Sequence, residues 1–184
     1  MSIYRDILRE RWNDVSPKVR ASHLTGEELH ANCCLDIAGS SNILGRIVSR
    51  IVSFPRAKAA AEVELRIRSS PEGEIWERFF PDCTLNSLQS VSPDGHLIDR
   101  FGKIAFRFNL EVSNGCIHHH HTDTYLTFGS LNFRLPRFVS PRVTSHEEPD
   151  PTEDASRISV SVHMPVIGYL LTYSGIVRPT GNRT

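Results

Sequence analysis

The stretch Ile104-Ala105-Phe106-Arg107-Phe108-Asn109-Leu110-Glu111-Val112, with its turn Ser113-Asn114-Gly115-Cys116 and its return Ile117 to Phe128, decides how the chain is read. Ile104, Phe106, Phe108, Leu110 and Val112 take every second position, with mostly polar residues between them. That is the period of a strand buried on one face. Asn114-Gly115 supplies the positive φ angles of a tight hairpin turn. The spacing predicts a long β-hairpin, with a curved antiparallel sheet built outward from it.

Working outward, further strands are expected at Leu29–Ile37, Ala61–Arg68, Glu74–Phe80, Thr84–Val91 and His96–Phe101 on the N-terminal side. Ile158–Met164 and Tyr169–Val177 follow the hairpin. Ser70-Pro71-Glu72-Gly73 and Ser92-Pro93-Asp94-Gly95 are turns between them. Leu131–Val143 holds Pro136 and Pro141, which suits an edge, an irregular segment or a crossover. His146–Asp154 is acidic and proline-containing and reads as an exposed loop. Ile3, Tyr4, Ile7, Leu8 and Trp12 recur at helical spacing over residues 2–12. Ser16-Pro17 opens a second short helix to about Leu24.

Ile43, Leu44, Ile47, Val48, Ile51 and Val52 form a helical apolar stripe stopped by Phe54-Pro55. Its expected role is core, capping one end of the sheet. A portal or lid, or contact with an anionic membrane through Arg46, Arg50, Arg56 and Lys58, are the alternatives. Together these elements give a mainly β chain: an antiparallel barrel or strongly curved sheet of eight to ten strands. Its order resembles the lipocalin and fatty-acid-binding type. We expect a single domain over 1–184, with N-terminal helices in 1–27, the barrel in 28–178 with a short helix at 42–54, and a tail at 179–184.

The totals narrow the function classes. A chain of 184 residues buries a core without staples. Lys plus Arg and Asp plus Glu are both 21, so no global field attracts nucleic acid or an anionic membrane, and charge-based binding would have to come from local clustering. The N-terminus lacks a signal pattern, and no apolar run approaches the roughly 20 residues that span a bilayer. Cys33, Cys34, Cys83 and Cys116 form neither a disulfide framework nor a metal knuckle, as in a reducing cytoplasm.

Five segments carry a resemblance. They are Tyr4-Arg5-Asp6-Ile7-Leu8, Leu44-Gly45-Arg46-Ile47-Val48, Asp99-Arg100-Phe101-Gly102, Arg134-Leu135-Pro136-Arg137-Phe138-Val139-Ser140-Pro141-Arg142 and Met164-Pro165-Val166-Ile167-Gly168-Tyr169-Leu170-Leu171-Thr172-Tyr173-Ser174-Gly175. In this order they resemble the bacterial family of domain of unknown function 4166, over nearly the whole chain. The resemblance carries no established activity and no catalytic residues. It implies a possible partner, since relatives are sometimes fused behind a dehydrogenase-like dinucleotide-binding domain. No Gly-x-Gly-x-x-Gly follows a strand here, so the sequence implies no cofactor. Lys103 stands where the family usually has proline after Phe-Gly, and the four histidines replace alternating basic and apolar residues.

His118-His119-His120-His121 is the most conspicuous chemistry. On a regular strand His119, His121 and Asp123 share a face, neighbours about 7 Å apart, and a ligand from a partner strand, with His30, His96, His146 and His163 as candidates, would complete a zinc or nickel site. The bland reading is a solvated polar strand. No Gly-x-Ser-x-Gly elbow and no His-Glu-x-x-His run is present. Glu62, Glu64, Glu77, Asp99 and Glu111 are the carboxylates placed for acid–base work, and a solvent face suits them better. Arg66, Arg68, Arg78 and Arg107 are expected to pair with them across strands, or to become ligand contacts if the barrel interior is polar.

The leading expectation is a binding module for a small apolar or amphipathic, lipid-like ligand. Trp76, Phe80, Phe106, Phe108, Tyr125, Tyr169 and Tyr173 would line its cavity, or else simply fill a core. An accessory or catalytic domain beside an oxidoreductase and a metal protein using the histidine strand are the alternatives.

Overall fold

Closure is decided at the predicted hairpin. In a computed structural model, which describes residues 2–23, 26–128 and 131–180, β-strands account for most of the chain. They are β1 (Glu28–Gly39), β2 (Lys58–Ser70), β3 (Gly73–Phe79), β4 (Thr84–Val91), β5 (Leu97–Phe101) and β6 (Ile104–Ser113). β7 (Cys116–Phe128), β8 (Leu131–Arg134), β9 (Arg142–Pro149), β10 (Ser156–Met164) and β11 (Gly168–Pro179) follow. The sheet runs β6-β5-β4-β3-β2-β1-β11-β10-β9-β7-β8, and β6 also pairs with β7. That last pairing closes ten strands into an antiparallel up-and-down barrel, with β8 an excursion paired to the far end of β7. Closure removes the exposed edges that an open sheet would present.

The expected exposed loop at His146–Asp154 is corrected: His146 to Pro149 belong to β9, which bridges β7 and β10. Its inward residues are Val143, Ser145 and Glu147, two of them polar, so no apolar alternation betrays the strand.

Short helices close one end. Helix α1 (Ile3–Leu8) stops at Arg9, whose φ is 52°. A 3-10 segment (Arg9–Asp14) and α2 (Pro17–Arg20) continue from it. The helix expected over 2–12 is thus two pieces, and Leu24, the expected end of the second helix, lies outside the described residues. Tyr4, Trp12, Val15 and Val19 are buried beneath the barrel. The Ser16 amide donates to Gly115 O at 2.9 Å, and Arg11 Nη2 donates to Val112 O at 2.6 Å. Lys18 Nζ reaches the carbonyls of Asp150 and Glu153. Part of the expected tail, 181–184, lies outside the described residues; Pro179 ends β11 and the Thr180 amide donates to His30 O.

Helix α3 (Ile43–Ile51) sits at the opposite end. Asn42 caps it by accepting from the Gly45 amide at 2.6 Å, and also donates to Ile167 O. Ser49 Oγ donates to Leu170 O at 3.0 Å. The expected core role is corrected here. Gly45 is buried, and Val48 packs partly against the core, but Ile43, Leu44, Ile47 and Ile51 are exposed. The helix docks by its small-residue side and turns the apolar stripe outward.

Candidate site in the barrel interior

Antiparallel register sets side chains of facing residues on the same side of the sheet. One row crosses Glu74, Gln89, Asp99 and Phe106 on β3, β4, β5 and β6. Another crosses Leu110, His119 and Ser145 on β6, β7 and β9. Both rows face inward, so the barrel encloses a polar cluster as well as an apolar wall. The cavity has a volume of about 100 Å³. Phe108, Leu97, Ile158, Leu171 and Tyr173 form much of its apolar side, and Arg78, Gln89, Asp99, His119 and Glu147 its polar side.

The polar groups fall into two connected sets. Tyr4 Oη lies 3.1 Å from His119 Nε2, and the Tyr4 ring centroid is 3.9 Å from that of His23. His23 Nε2 is 3.1 Å from Glu147 Oε2, both side chains being buried. The second set centres on Arg78. Its Nη1 donates to Ser87 Oγ at 3.2 Å, and its guanidinium sits 5.2 Å from the Trp76 ring centroid. A cation beside an aromatic face is held by the ring quadrupole as well as by its hydrogen bonds. Glu74 fastens the helical end, accepting from the Ile3 amide at 2.9 Å and from Trp76 Nε1 at 3.2 Å.

Electrostatics separate these groups. Burial pushes the Asp99 carboxyl up, opposed by the charge of Arg78 and by the neighbouring polar side chains of Ser87 and Gln89. Burial likewise raises Glu74 against its two donors. Burial also opposes ionisation of Glu147, but His23, His119 and Arg78 outweigh it and hold that carboxyl below its ordinary range. His119 is pushed down to about 4 by burial, with Glu147 pulling the other way, so its imidazole is neutral at pH 7. Buried polar atoms are ordinarily paired, yet Asp99 Oδ1, Gln89 Oε1 and His119 Nδ1 have no hydrogen-bond partner among the described residues.

The residues singled out in the sequence divide. Trp76, Phe106, Phe108 and Tyr173 line the cavity. Phe80 is buried next to it, its ring 6.1 Å from that of Tyr173. Tyr125 and Tyr169 do not line it, which corrects their placement. Tyr125 pairs with Ala105 and borders a groove with Arg107 and Asp94, and Tyr169 is 62% exposed.

The metal set is also corrected. A β-bulge between Arg107 and Phe108 sets Asp123 opposite Arg107 but His121 opposite Phe108, leaving Thr122 unpaired. A bulge reverses which face subsequent residues occupy. His119 and His121 therefore turn inward with Phe108, while Asp123 turns out and pairs with Arg134. His121 Nε2 lies 3.0 Å from Thr124 Oγ1. Among the described residues, no three His, Cys, Asp or Glu side chains form a group able to hold a metal.

Arg68 pairs across strands with Glu77 as expected, whereas Arg66 meets Glu28 and its own-strand neighbour Glu64, and Arg107 meets Asp94 in the β4–β5 turn; the sequence indicated neither Glu28 nor Asp94. Arg78 faces the interior instead. Tyr4, His23, Gln89 and Glu147 went unrecognised in the sequence. Asp99, expected on a solvent face, is corrected: it lines the interior, and its flanks Leu97 and Phe101 two positions away carried the signal.

Fold and site define a closed antiparallel barrel whose interior sets a polar cluster of Arg78, Gln89, Asp99, His119 and Glu147 against an otherwise largely apolar wall. The chain belongs to the family described as domain of unknown function 4166, whose model matches residues 15–176. No curated protein and no solved structure matches it. Among the described residues, no helix is long and apolar enough to cross a membrane.

Proposed function

We propose that the barrel is a binding module for a small amphipathic ligand. The observation that carries this reading is a pair of buried acceptors, Asp99 Oδ1 and Gln89 Oε1, that have no partner among the described residues, on a cavity that is otherwise largely apolar. A hydroxyl, amine or amide on the ligand would satisfy them, and Arg78 would meet any anionic oxygen beside it. Drug-sized ligand pockets run to roughly 300–1,000 Å³, so a cavity of about 100 Å³ suits the polar end of such a molecule. Its apolar part would extend past Phe54, Phe101 and Phe106, three cavity-lining rings that are only partly buried. Up-and-down barrels hold ligands in this manner, an analogy of fold and not of ancestry.

Native mass spectrometry of freshly purified protein tests the proposal. A non-covalent mass of one equivalent is expected, released on denaturation. Asp99→Asn and Arg78→Met should each lower its retention about tenfold or more, the scale of a lost charge-assisted hydrogen bond. An unliganded wild-type barrel that also takes up no added long-chain alcohol or amine would overturn the reading.

A further inference from the structure

The strands divide the molecule into two ends of opposite character. The end bearing α3 is made from segments 40–58, 80–83, 101–104, 127–142 and 164–168. These segments contain eight Lys or Arg residues and a single acid, Asp82. The strand turns at the opposite end, 70–73, 92–96, 113–116 and 150–155, contain five acids and neither Lys nor Arg. A chain with equal numbers of each sign therefore carries its charge as an axial dipole, although the N-terminal helices beneath the acidic turns are mixed.

Exposed apolar side chains follow the same axis. Among the described residues thirteen large hydrophobics are exposed, and all except Val91 lie on the basic-end segments or at the start of β11. Ile43, Leu44, Ile47 and Ile51 form the outward stripe of α3. Val166, at the β10–β11 turn, is 98% exposed. Phe138 and Val139 project from the β8–β9 connection, and Phe128 and Leu131 from the tip of the β7–β8 hairpin. Around the barrel these belong to consecutive strands, from β1 through β11, β10 and β9 to β7. They make one continuous arc of the rim.

We propose that this rim docks on an anionic lipid surface. The arc presents aliphatic and aromatic tips at several points, interleaved with cations. Arg46 and Arg50 on α3, and Arg137 beside Phe138, take part in no ion pair among the described residues. Lys103 lies over the Phe128 ring, 5.4 Å from its centroid. Apolar side chains inserted at the headgroup boundary, with Lys and Arg reaching the phosphates, are the components of interfacial binding. A self-associating copy would have to set this strongly basic rim against itself, which like charges oppose. A lipid surface of opposite sign meets both the apolar and the charged requirement. The docked rim would be the one onto which Phe54 and Phe101 open, and docking itself does not require the interior to hold any ligand.

Vesicle flotation with the full chain tests the inference. Vesicles of phosphatidylcholine with and without phosphatidylglycerol are compared. Binding is expected only with the anionic lipid, and is expected to fall away at about 0.5 M salt, where screening confines charge attraction to a few Å. Removing both cations in Arg46→Ala with Arg50→Ala should weaken binding roughly thirtyfold. The exposed pair Ile47→Asp with Ile51→Asp should abolish it while the thermal transition stays in place. Equal binding to neutral vesicles, no binding to either, or full binding by the Ile47/Ile51 variant overturns the proposal. Concentration-dependent dimerisation that those same substitutions remove overturns it too, by assigning the face to a second copy. Native mass spectrometry reads ligand content independently, so either proposal can fail without the other.

Discussion

At Gly175 a methyl group in place of the α-hydrogen would put its carbon 2.0 Å from the carbonyl oxygen of Cys34 on the neighbouring strand. Gly175 faces Leu35 in the β1–β11 ladder, so a side chain there must push two backbones apart. Gly175→Ala is expected to lower stability by about 1–3 kcal/mol, the scale of overpacking, seen as a lower midpoint in urea. His119 poses a question of charge. Its folded-state pKa of about 4 lies below the unfolded value near 6.5. The unfolded chain therefore binds the extra proton across that interval, and stability falls as pH drops from about 6.5 toward 4. Glu147, held below its ordinary range, loses stability in the same direction at lower pH. Asp99 and Glu74, held above theirs, act oppositely, favouring the fold as they protonate. A difference measurement separates them: His119→Gln should flatten the fall in unfolding free energy between pH 6.5 and 4 relative to wild type. Parallel curves for the two proteins would refute the assignment.

Among the elements, α1 and the 3-10 segment lie before the matched family region, yet they fill the barrel's acidic end. Ile3, Tyr4, Leu8 and Trp12 are all buried there. At about 1.5–3 kcal/mol for each buried large side chain, their removal forfeits an amount comparable to a whole domain's stability of about 5–15 kcal/mol. Deleting residues 2–14 should abolish the sharp calorimetric transition; an unchanged midpoint would show the barrel stands without its plug. This segment also shows which elements could be read from sequence. The β6–β7 hairpin was legible because its inward residues on β6 are nearly all apolar, so periodicity and burial agree. β9 was not, because Ser145 and Glu147 face inward and erase the alternation. The stripe on α3 was legible as a stripe, but not its direction. Periodicity says which residues share a face; here Gly45 and Ser49 allow the opposite face to approach β11, with Asn42 and Ser49 bonding to Ile167 and Leu170. Of the candidate site, the aromatic wall was partly visible. Arg78 was hidden because both faces of β3 mix charged with apolar residues, and Asp123 was misplaced because a bulge leaves no reliable mark in composition.

For the barrel as a whole, the question is where closure is weakest. β1 meets β2 and β11 through nine register pairs each, including a bulge on the β2 side. β7 meets β9 through only four, from Ile117↔Glu147 to His120↔Thr144; β4 and β5 also share four, but the short turn 92–96 ties those two together, whereas β7 and β9 are joined only through the β8 excursion. Beyond His120 the two strands part, and the gap is spanned by Ser140 and Thr124 side chains, with Thr124 Oγ1 donating to Pro141 O at 3.1 Å. Ladder bonds are lost cooperatively where few neighbours support them. The β7–β9 seam should therefore open first, turning the closed barrel into a sheet with edges at β7 and β9. Hydrogen exchange under native conditions checks this: amides of residues 142–147 should exchange through a lower-energy opening than those of 31–35 or 63–67. The same opening exposes Glu147 and His119 to water, relieving the burial that depresses His119, so acidification below pH 6.5 should speed exchange at this seam more than at β1. Uniform protection around the ring would contradict the weak-seam reading. Protection lost first at β1 and β2 would place the weak point on the other side of the barrel.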